Sequence, residues 1–176
     1  ISALSAAVLA FVALPASAGV IGPGDFTGPP KTKLIDFETA TDDVALGKID
    51  DVTFTNLWGD ADFAAFVPGG GNLVAANSPK TTSPDAVDPT ADFSFAFDAP
   101  VNLVGWDALT NMSSAVTVTL YSVTGGSKTQ VESHLFTTPA GSMFSFMGLE
   151  NSSAFNLVEV NVVAPPNFLP TLVMND

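Results

Sequence analysis

Hydrophobic and polar residues alternate with a period of two along much of this chain, which is the pattern of β-strands that bury one face. The clearest example begins at Asp92, where Phe93, Phe95 and Phe97 alternate with small side chains and fall on one face of a strand. An Asp-Ala-Pro sequence at 98–100 then interrupts the alternation. The pattern predicts three consecutive strands, at 93–97, 101–106 and 115–121. We expect one face of the sheet they form to be buried.

The rest of the chain repeats this pattern in shorter runs separated by Gly, Pro, Asn and Asp. Further strands are predicted at 34–38, 52–56, 63–67, 73–75, 129–137, 143–147, 155–163 and 169–174. A tight turn is predicted at Gly125-Gly126, and no segment has a convincing helical period. About ten short strands predict an all-β fold, an antiparallel β-sandwich of jelly-roll type. The same spacing is compatible with a closed barrel.

The N-terminal segment predicts export. Residues 1–18 form an apolar run that ends in the small-residue pattern Ala16-Ser17-Ala18. This pattern is typical of a signal peptide and its cleavage site, and the run is short for a transmembrane anchor. We therefore expect a signal-peptide remnant, a secreted or cell-surface protein, and no membrane insertion of the mature chain. The Gly- and Pro-rich segment 19–33 is predicted to be a flexible lead-in, and residues 34–176 a single domain.

Charge and cysteine content narrow the possible functions. The chain has 18 acidic residues against 5 Lys and no Arg, a net charge of -13, so it repels nucleic acid and anionic membrane surfaces. It has no Cys, which excludes disulfides, thiolate metal sites and a Cys nucleophile. Stability must therefore come from a packed core, a hydrogen-bonded sheet and any bound ion.

Six segments follow one another in a recognisable order: IDFETATDD, VTFTN, FSFAFDAPVNLVGWDAL, VTVTLYSVTGG, MFSFMGLENSSAFNLVEVNV and LPTLVMND. In this order they resemble secreted bacterial β-sandwich proteins of the PEP-CTERM type, over residues 34–176. The resemblance implies sorting to the bacterial envelope and association with extracellular polysaccharide. Two features depart from the family pattern. Asp51 stands where a Gly usually precedes the VTF element, and this sequence lacks the Pro-Glu-Pro motif and hydrophobic tail of the sorting signal.

Most of the acidic residues are Asp, which suits turns and calcium-binding loops. In jelly-roll folds the first and last strands commonly lie side by side at one edge, an arrangement that brings Glu38 near Asp176. Asp42, in the loop after the first strand, adds a third carboxylate. Since calcium takes six to eight oxygen ligands, these three residues are the predicted calcium site. Carboxylates exposed to solvent are the alternative, and no EF-hand pattern is present.

Polysaccharide binding needs an exposed aromatic ring flanked by hydrogen-bonding groups. Trp58 is the best candidate because it ends a predicted strand and is followed by Asp60 and Asp62. Trp106 lies within the central sheet and is predicted to belong to the core. Tyr121 has the parity of the polar positions on its strand and is predicted to face solvent.

Nothing in the sequence identifies a catalytic centre. His134 is the only histidine, it lies on a predicted strand, and no nucleophile-elbow motif accompanies it, so we interpret it as a surface residue. The favoured hypothesis is a non-enzymatic exported protein that binds extracellular polysaccharide. One alternative is a structural subunit that self-associates through an edge strand such as 169–174. The other is an extracellular polysaccharide hydrolase with an unidentified carboxylate pair.

Overall fold

The computed structural model describes residues 19–26, 35, 37, 41, 44–60, 73–76, 90–110, 113–139, 145–163 and 172–175. Apart from one short 3-10 helix, Pro23–Phe26, the regular structure of these residues is antiparallel β-sheet. This confirms the all-β, antiparallel character of the predicted fold class. No helix in this part of the chain has the length and apolar character needed to cross a membrane.

The strands differ from the predicted ones in length and number. In chain order they are β1 Gly19–Val20, β2 Lys48–Ile49, β3 Val52–Thr55, β4 Trp58–Asp60, β5 Leu73–Ala76, β6 Thr90–Thr110, β7 Ala115–Thr124, β8 Ser127–Thr137, β9 Ser145–Val163 and β10 Leu172–Asn175. Seven of them follow one hydrogen-bonded path in the order β4-β5-β10-β6-β9-β7-β8. The short strands β1, β2 and β3 attach to the sides of this path. The described strands therefore differ from the predicted set of about ten short strands, because about seven carry the continuous sheet and two of these are very long.

The two long strands, β6 with 21 residues and β9 with 19, each join two predicted strands. The expected break at 98–100 is a bulge within β6: from Ala96 to Val101 the partner strand advances only from Leu157 to Phe155. From Val101 to Leu103, β9 advances further than β6, from Phe155 to Glu150, so the extra residues here lie on β9. Pro is tolerated at such a position because a bulge leaves its residues outside the ladder.

These bulges form a corner at which each long strand passes from one layer of the sandwich to the other. Layer A contains β2, β3, β7 and β8 with residues 90–97 of β6 and 157–163 of β9. Layer B contains β1, β4, β5 and β10 with residues 103–110 of β6 and 145–150 of β9.

Ring contacts show that the two layers face each other. The ring centroids of Phe95, in layer A, and Trp106, in layer B, are 5.2 Å apart. On a straight strand these two residues would be separated by roughly 36 Å, at about 3.3 Å per residue. The strand must therefore turn back over itself at the corner, and the aromatic rings fill the space between the layers.

Hydrogen bonds stabilise the corner. Asn151 is 1% exposed, its side-chain Oδ1 accepts a bond of 2.8 Å from the Ser153 amide, and its backbone oxygen accepts one of 2.8 Å from Asn102 Nδ2. At the surface of the corner, Lys48 Nζ lies 2.6 Å from Asp98 Oδ2 in an exposed ion pair. The bulged backbone thus has polar partners in place of the ladder bonds that it lacks.

The core follows the predicted alternation closely. Its fully buried residues include Phe93 and Phe95 of β6, and Trp106 is 7% exposed, so its assignment to the core is confirmed. Phe97, the last ring of the predicted trio, is only half-buried because it lies at the corner. Other core residues are Val52, Phe54, Leu57, Ala108, Val116, Val118, Leu120, Met147, Leu149, Phe155, Val158, Val160 and Val162.

Three local predictions have different outcomes. The turn between β7 and β8 is formed by Gly125 and Gly126, with φ of 58° and 83°, as predicted. The predicted first strand is wrong at the two positions described, Ile35 and Phe37, because neither lies in a strand, although Phe37 packs edge-on against Phe54. The lead-in predicted to be flexible is paired at its start, where β1 adds to β9.

Candidate functional site

Trp58 lies on β4, the strand at one end of the hydrogen-bonded path. Its side chain is half-buried rather than exposed, and its indole Nε1 is buried with no hydrogen-bond acceptor among the residues described. Asp60 ends β4 and pairs with Leu73, but its side chain lies outside what the structure describes, as does all of Asp62. The structure therefore places Trp58, the predicted aromatic platform, at a sheet margin. The positions of the Asp60 and Asp62 side chains lie outside the described residues.

The predicted calcium ligands Glu38, Asp42 and Asp176 all lie outside the described residues. The arrangement that suggested them is not the one observed. The last strand, β10, is hydrogen-bonded on both sides, to β5 and to β6, so the first and last strands are not paired neighbours at an edge. Among the residues described, no group of three or more His, Asp or Glu side chains is placed to hold a metal ion.

The outer surface of layer A brings several binding-type side chains together. We call it the polar face and define it by Asp92, Thr119, Tyr121, Glu159 and Asn161. Its residues come from three adjacent strands: β6 pairs with β9, and β9 pairs with β7. Every second side chain of these strands is buried in the core. The polar side chains between them therefore lie together on the opposite side of the sheet. Tyr121 is partly exposed there, as its parity predicted.

Tyr121 has a charged neighbour over its ring. Lys128 Nζ lies 3.8 Å from the ring centroid, a cation–π contact, and 2.5 Å from Glu159 Oε1. The side chains of this ion pair are 40% and 43% exposed, so water screens the pair and a ligand can reach both groups. Tyr121, Lys128 and Glu159 therefore form one accessible cluster that offers an aromatic ring, a cation and a carboxylate.

The remaining polar side chains are held in place by bonds between strands. Asn161 Nδ2 donates to Asp92 Oδ1 across the β6–β9 pair. Thr119 Oγ1 and Ser133 Oγ are 3.1 Å apart across the β7–β8 pair. These bonds fix the directions of the side chains, so the polar face is a preorganised array of donors and acceptors.

The chemistry of the polar face suits binding better than bond cleavage. A phenol ring can pack against the C–H face of a pyranose, and the amide, hydroxyl and carboxylate groups can bond its hydroxyls. The carboxylates of Asp92 and Glu159 are each engaged, one by Asn161 and the other by Lys128. Both lie on the outer surface of a sheet, where no described element covers them to exclude water.

His134, interpreted from the sequence as a surface residue, is half-buried. It pairs with Val118, whose side chain is fully buried, and it contacts Phe136 edge-on with ring centroids 4.6 Å apart. It is half-buried on the core side of β8, while Ser133 points to the other side and bonds Thr119. A Ser-His catalytic pair between these neighbours is therefore excluded by strand geometry.

Sequence reasoning identified Tyr121 but missed the residues around it. Asp92, Glu159 and Asn161 are brought together by β-pairing between distant segments, which no local pattern specifies. The only local signal was the polar parity of β7, where Thr117 and Thr119 precede Tyr121.

Comparison with known proteins identifies no family. No protein-family model matches the chain, and neither does any curated protein. One similar solved structure is the carbohydrate-binding module TmCBM61 in complex with β-1,4-galactotriose, with a TM-score of 0.43 and 14% identity over 80% of this chain and 90% of that one. Another is the enzymatically active domain of tailspike protein 4 from bacteriophage CBA120, with a TM-score of 0.39 and 14% identity over 70% of this chain and 16% of that one. Similarities this weak assign no activity to this chain.

Proposed function

We propose that this protein is a non-enzymatic, exported protein of the bacterial envelope or extracellular matrix that binds polysaccharide through the polar face. The observation that carries the proposal is the accessible cluster of Tyr121, Lys128 and Glu159 beside the Asn161–Asp92 pair. An aromatic ring at one end of a rigid row of donors and acceptors is the arrangement that holds one sugar ring and orients its neighbours along a chain.

Charge favours a neutral glycan at this site. The polar face carries the carboxylates of Asp92 and Glu159, and Lys128 beside it supplies one ammonium group, in a chain of net charge -13. A polyuronate would meet repulsion unless a cation bridged the two surfaces. Calcium bound by Glu38, Asp42 and Asp176 stays a separate prediction from the sequence, to be tested by chelation.

Export belongs to the same proposal. It is supported by the apolar run and the Ala16-Ser17-Ala18 pattern, and by the resemblance to PEP-CTERM-type proteins. The absence of Cys does not oppose it, because the paired layers and their aromatic core supply the stability that disulfides often provide in secreted proteins.

The test is retention of the protein on a panel of neutral and acidic polysaccharides, in calcium and in EDTA. We expect retention on at least one neutral glycan and a loss of affinity of about tenfold in Tyr121→Ala, the effect of removing one stacked ring. Val20→Ala is the matched control, because Val20 is 56% exposed in layer B, on another surface. Loss of retention in EDTA would support calcium.

Two outcomes would overturn the assignment. If Trp58→Ala abolishes retention and Tyr121→Ala has no effect, the binding site is the β4 margin and not the polar face. If incubation with a retained glycan releases new reducing ends, the protein is a hydrolase. The absence of retention on every glycan in both conditions would favour a structural role.

A further inference from the structure

β8 is an edge strand. It is the last strand of the hydrogen-bonded path, and within the described part of the chain it pairs with β7 alone. Of the segment 169–174, which the sequence suggested as an edge for self-association, residues 172–174 are described, and they do not form an edge because β10 lies between β5 and β6. Any assembly by strand addition at this end of layer A must therefore use β8.

The free backbone groups of β8 can be identified from one hydrogen bond. The Thr138 amide donates to the Ser114 carbonyl, at 3.0 Å, in continuation of the β7–β8 register. Backbone groups alternate in direction along an antiparallel strand, so the groups of Phe136 and His134 also point to β7. The N–H and C=O groups of 133, 135 and 137 therefore point away from β7, toward the open edge.

Only half of this edge is protected against pairing. Residues 127–132 include Lys128 and Glu132, and a bulge at the register shift between Leu120 and Tyr121 distorts this half. Charged side chains and bulges are the devices by which edge strands avoid unwanted pairing. The other half, Ser133–Thr137, has neither.

The unprotected half also exposes hydrophobic surface. Residues 133–137 are Ser-His-Leu-Phe-Thr, with no Asp, Glu, Lys or Arg. Leu135 is 61% exposed on the outer side, more than any other large hydrophobic side chain in the described part of the chain. On the inner side His134 and Phe136 are only half-buried, because no further described strand covers them.

We propose that residues 133–137 of β8 bind the same residues of a second copy of this chain, as an antiparallel strand pair centred on Leu135. In this register Leu135 lies opposite Leu135 of the second copy. His134 lies opposite Phe136 of the second copy, and the symmetry repeats that ring contact on the other side. The outward backbone groups of 133, 135 and 137 supply the hydrogen bonds, and layer A continues across the interface.

Electrostatics favour a second copy as the occupant. Two chains of net charge -13 repel each other, so they approach most easily where neither presents a charge, and residues 133–137 are such a stretch. The pair is also self-complementary, which a two-fold interface requires. Because salt screens the remaining repulsion, association should strengthen when ionic strength rises from about 0.01 M to about 0.15 M.

The test is sedimentation of the full chain over a range of concentrations, together with amide hydrogen exchange. We expect a dimer fraction that rises with concentration. The amides of Ser133, Leu135 and Thr137 should exchange more slowly as the dimer forms, whereas those of His134 and Phe136, bonded to β7, should be protected at all concentrations. This alternation distinguishes strand pairing from contact through another surface.

Leu135→Lys places a charge at the centre of the interface and should weaken association at least about tenfold. Thr129→Lys is the matched control, because Thr129 is exposed in the protected half of the same strand, and it should leave association unchanged. A chain that stays monomeric at millimolar concentration, with exchange at 133, 135 and 137 independent of concentration, would overturn the proposal. Equal weakening by the two substitutions would also overturn it.

Discussion

At the scale of single residues, the carboxyl group of Asp107 is expected to destabilise the folded protein when it is ionised. It lies between Trp106 and Ala108, both buried, and in the sheet register it stands opposite Phe146 and Asn175. Partial burial raises the pKa of Asp107 above its ordinary value of 3.8, because desolvation disfavours the charged form. Folding therefore makes this carboxyl harder to ionise.

Asp107→Asn should raise the free energy of unfolding at neutral pH. The folded pKa lies above the unfolded one, so the penalty is fully present above the folded pKa and disappears as the pH falls below about 3.8. The measurement is denaturant unfolding of both proteins at pH 7 and at about pH 3. A gain of equal size at both pH values would show that the charge is not the cause.

At the scale of elements, the short strand β1 acts as an anchor for the N-terminal segment. It pairs with β9 at Glu150 and Leu149, and the Ile21 amide continues the pairing with a 3.1 Å bond to the Gly148 carbonyl. Gly148 is needed at this point, because a Cβ there would lie 2.5 Å from Phe146 Cε1 and 3.0 Å from the Ile21 carbonyl oxygen. The missing side chain lets the two backbones approach.

Gly148→Ala should destabilise the protein by about 1–3 kcal/mol, the usual effect of overpacking, because the Ile21 backbone has to move. Gly47→Ala is the control, since a Cβ at Gly47 meets nothing within 4 Å. Denaturant midpoints of the two variants give the comparison, and amide exchange at Val20 and Ile21 reports whether β1 detaches. Indistinguishable stabilities would contradict the role assigned to Gly148.

At the scale of the whole molecule, β6 and β9 make the two layers one cooperative unit. Each long strand belongs to both layers, and the contact of Phe95 with Trp106 links the layers through the core. The two layers cannot separate without disrupting the pairing of β6 with β9 at the corner. The sandwich is therefore expected to unfold in one transition.

Phe95→Ala should lower the stability of both layers together, by about 3–5 kcal/mol. Phe95 is in layer A, while Trp58 and Trp106, the only tryptophans of the chain, are in layer B, so fluorescence reports on the layer that is not mutated. Amide exchange in β7 reports on layer A. Separate transitions for fluorescence and for β7 exchange would show that the layers unfold independently.

Strand parity, and with it much of the fold class, follows from local sequence. Alternation in β6 and β7 correctly predicted the burial of Phe93 and Phe95 and the outward direction of Tyr121, and the position of Trp106 within the central sheet correctly predicted its burial. The paired glycines predicted the turn between β7 and β8, because both positions need positive φ. These features depend only on residues close together in the chain, so a local pattern is sufficient to find them.

Which strands continue and which segments meet depends on the folded structure. Pro100 predicts a strand end in isolation, yet it lies in a bulge where the ladder with β9 absorbs the extra residues. The polar face, the anchor at β1, the interior position of β10 and the open edge of β8 all depend on pairing between distant segments. Such pairing is set by which buried faces fit together across the whole core, and no short stretch of sequence contains that information.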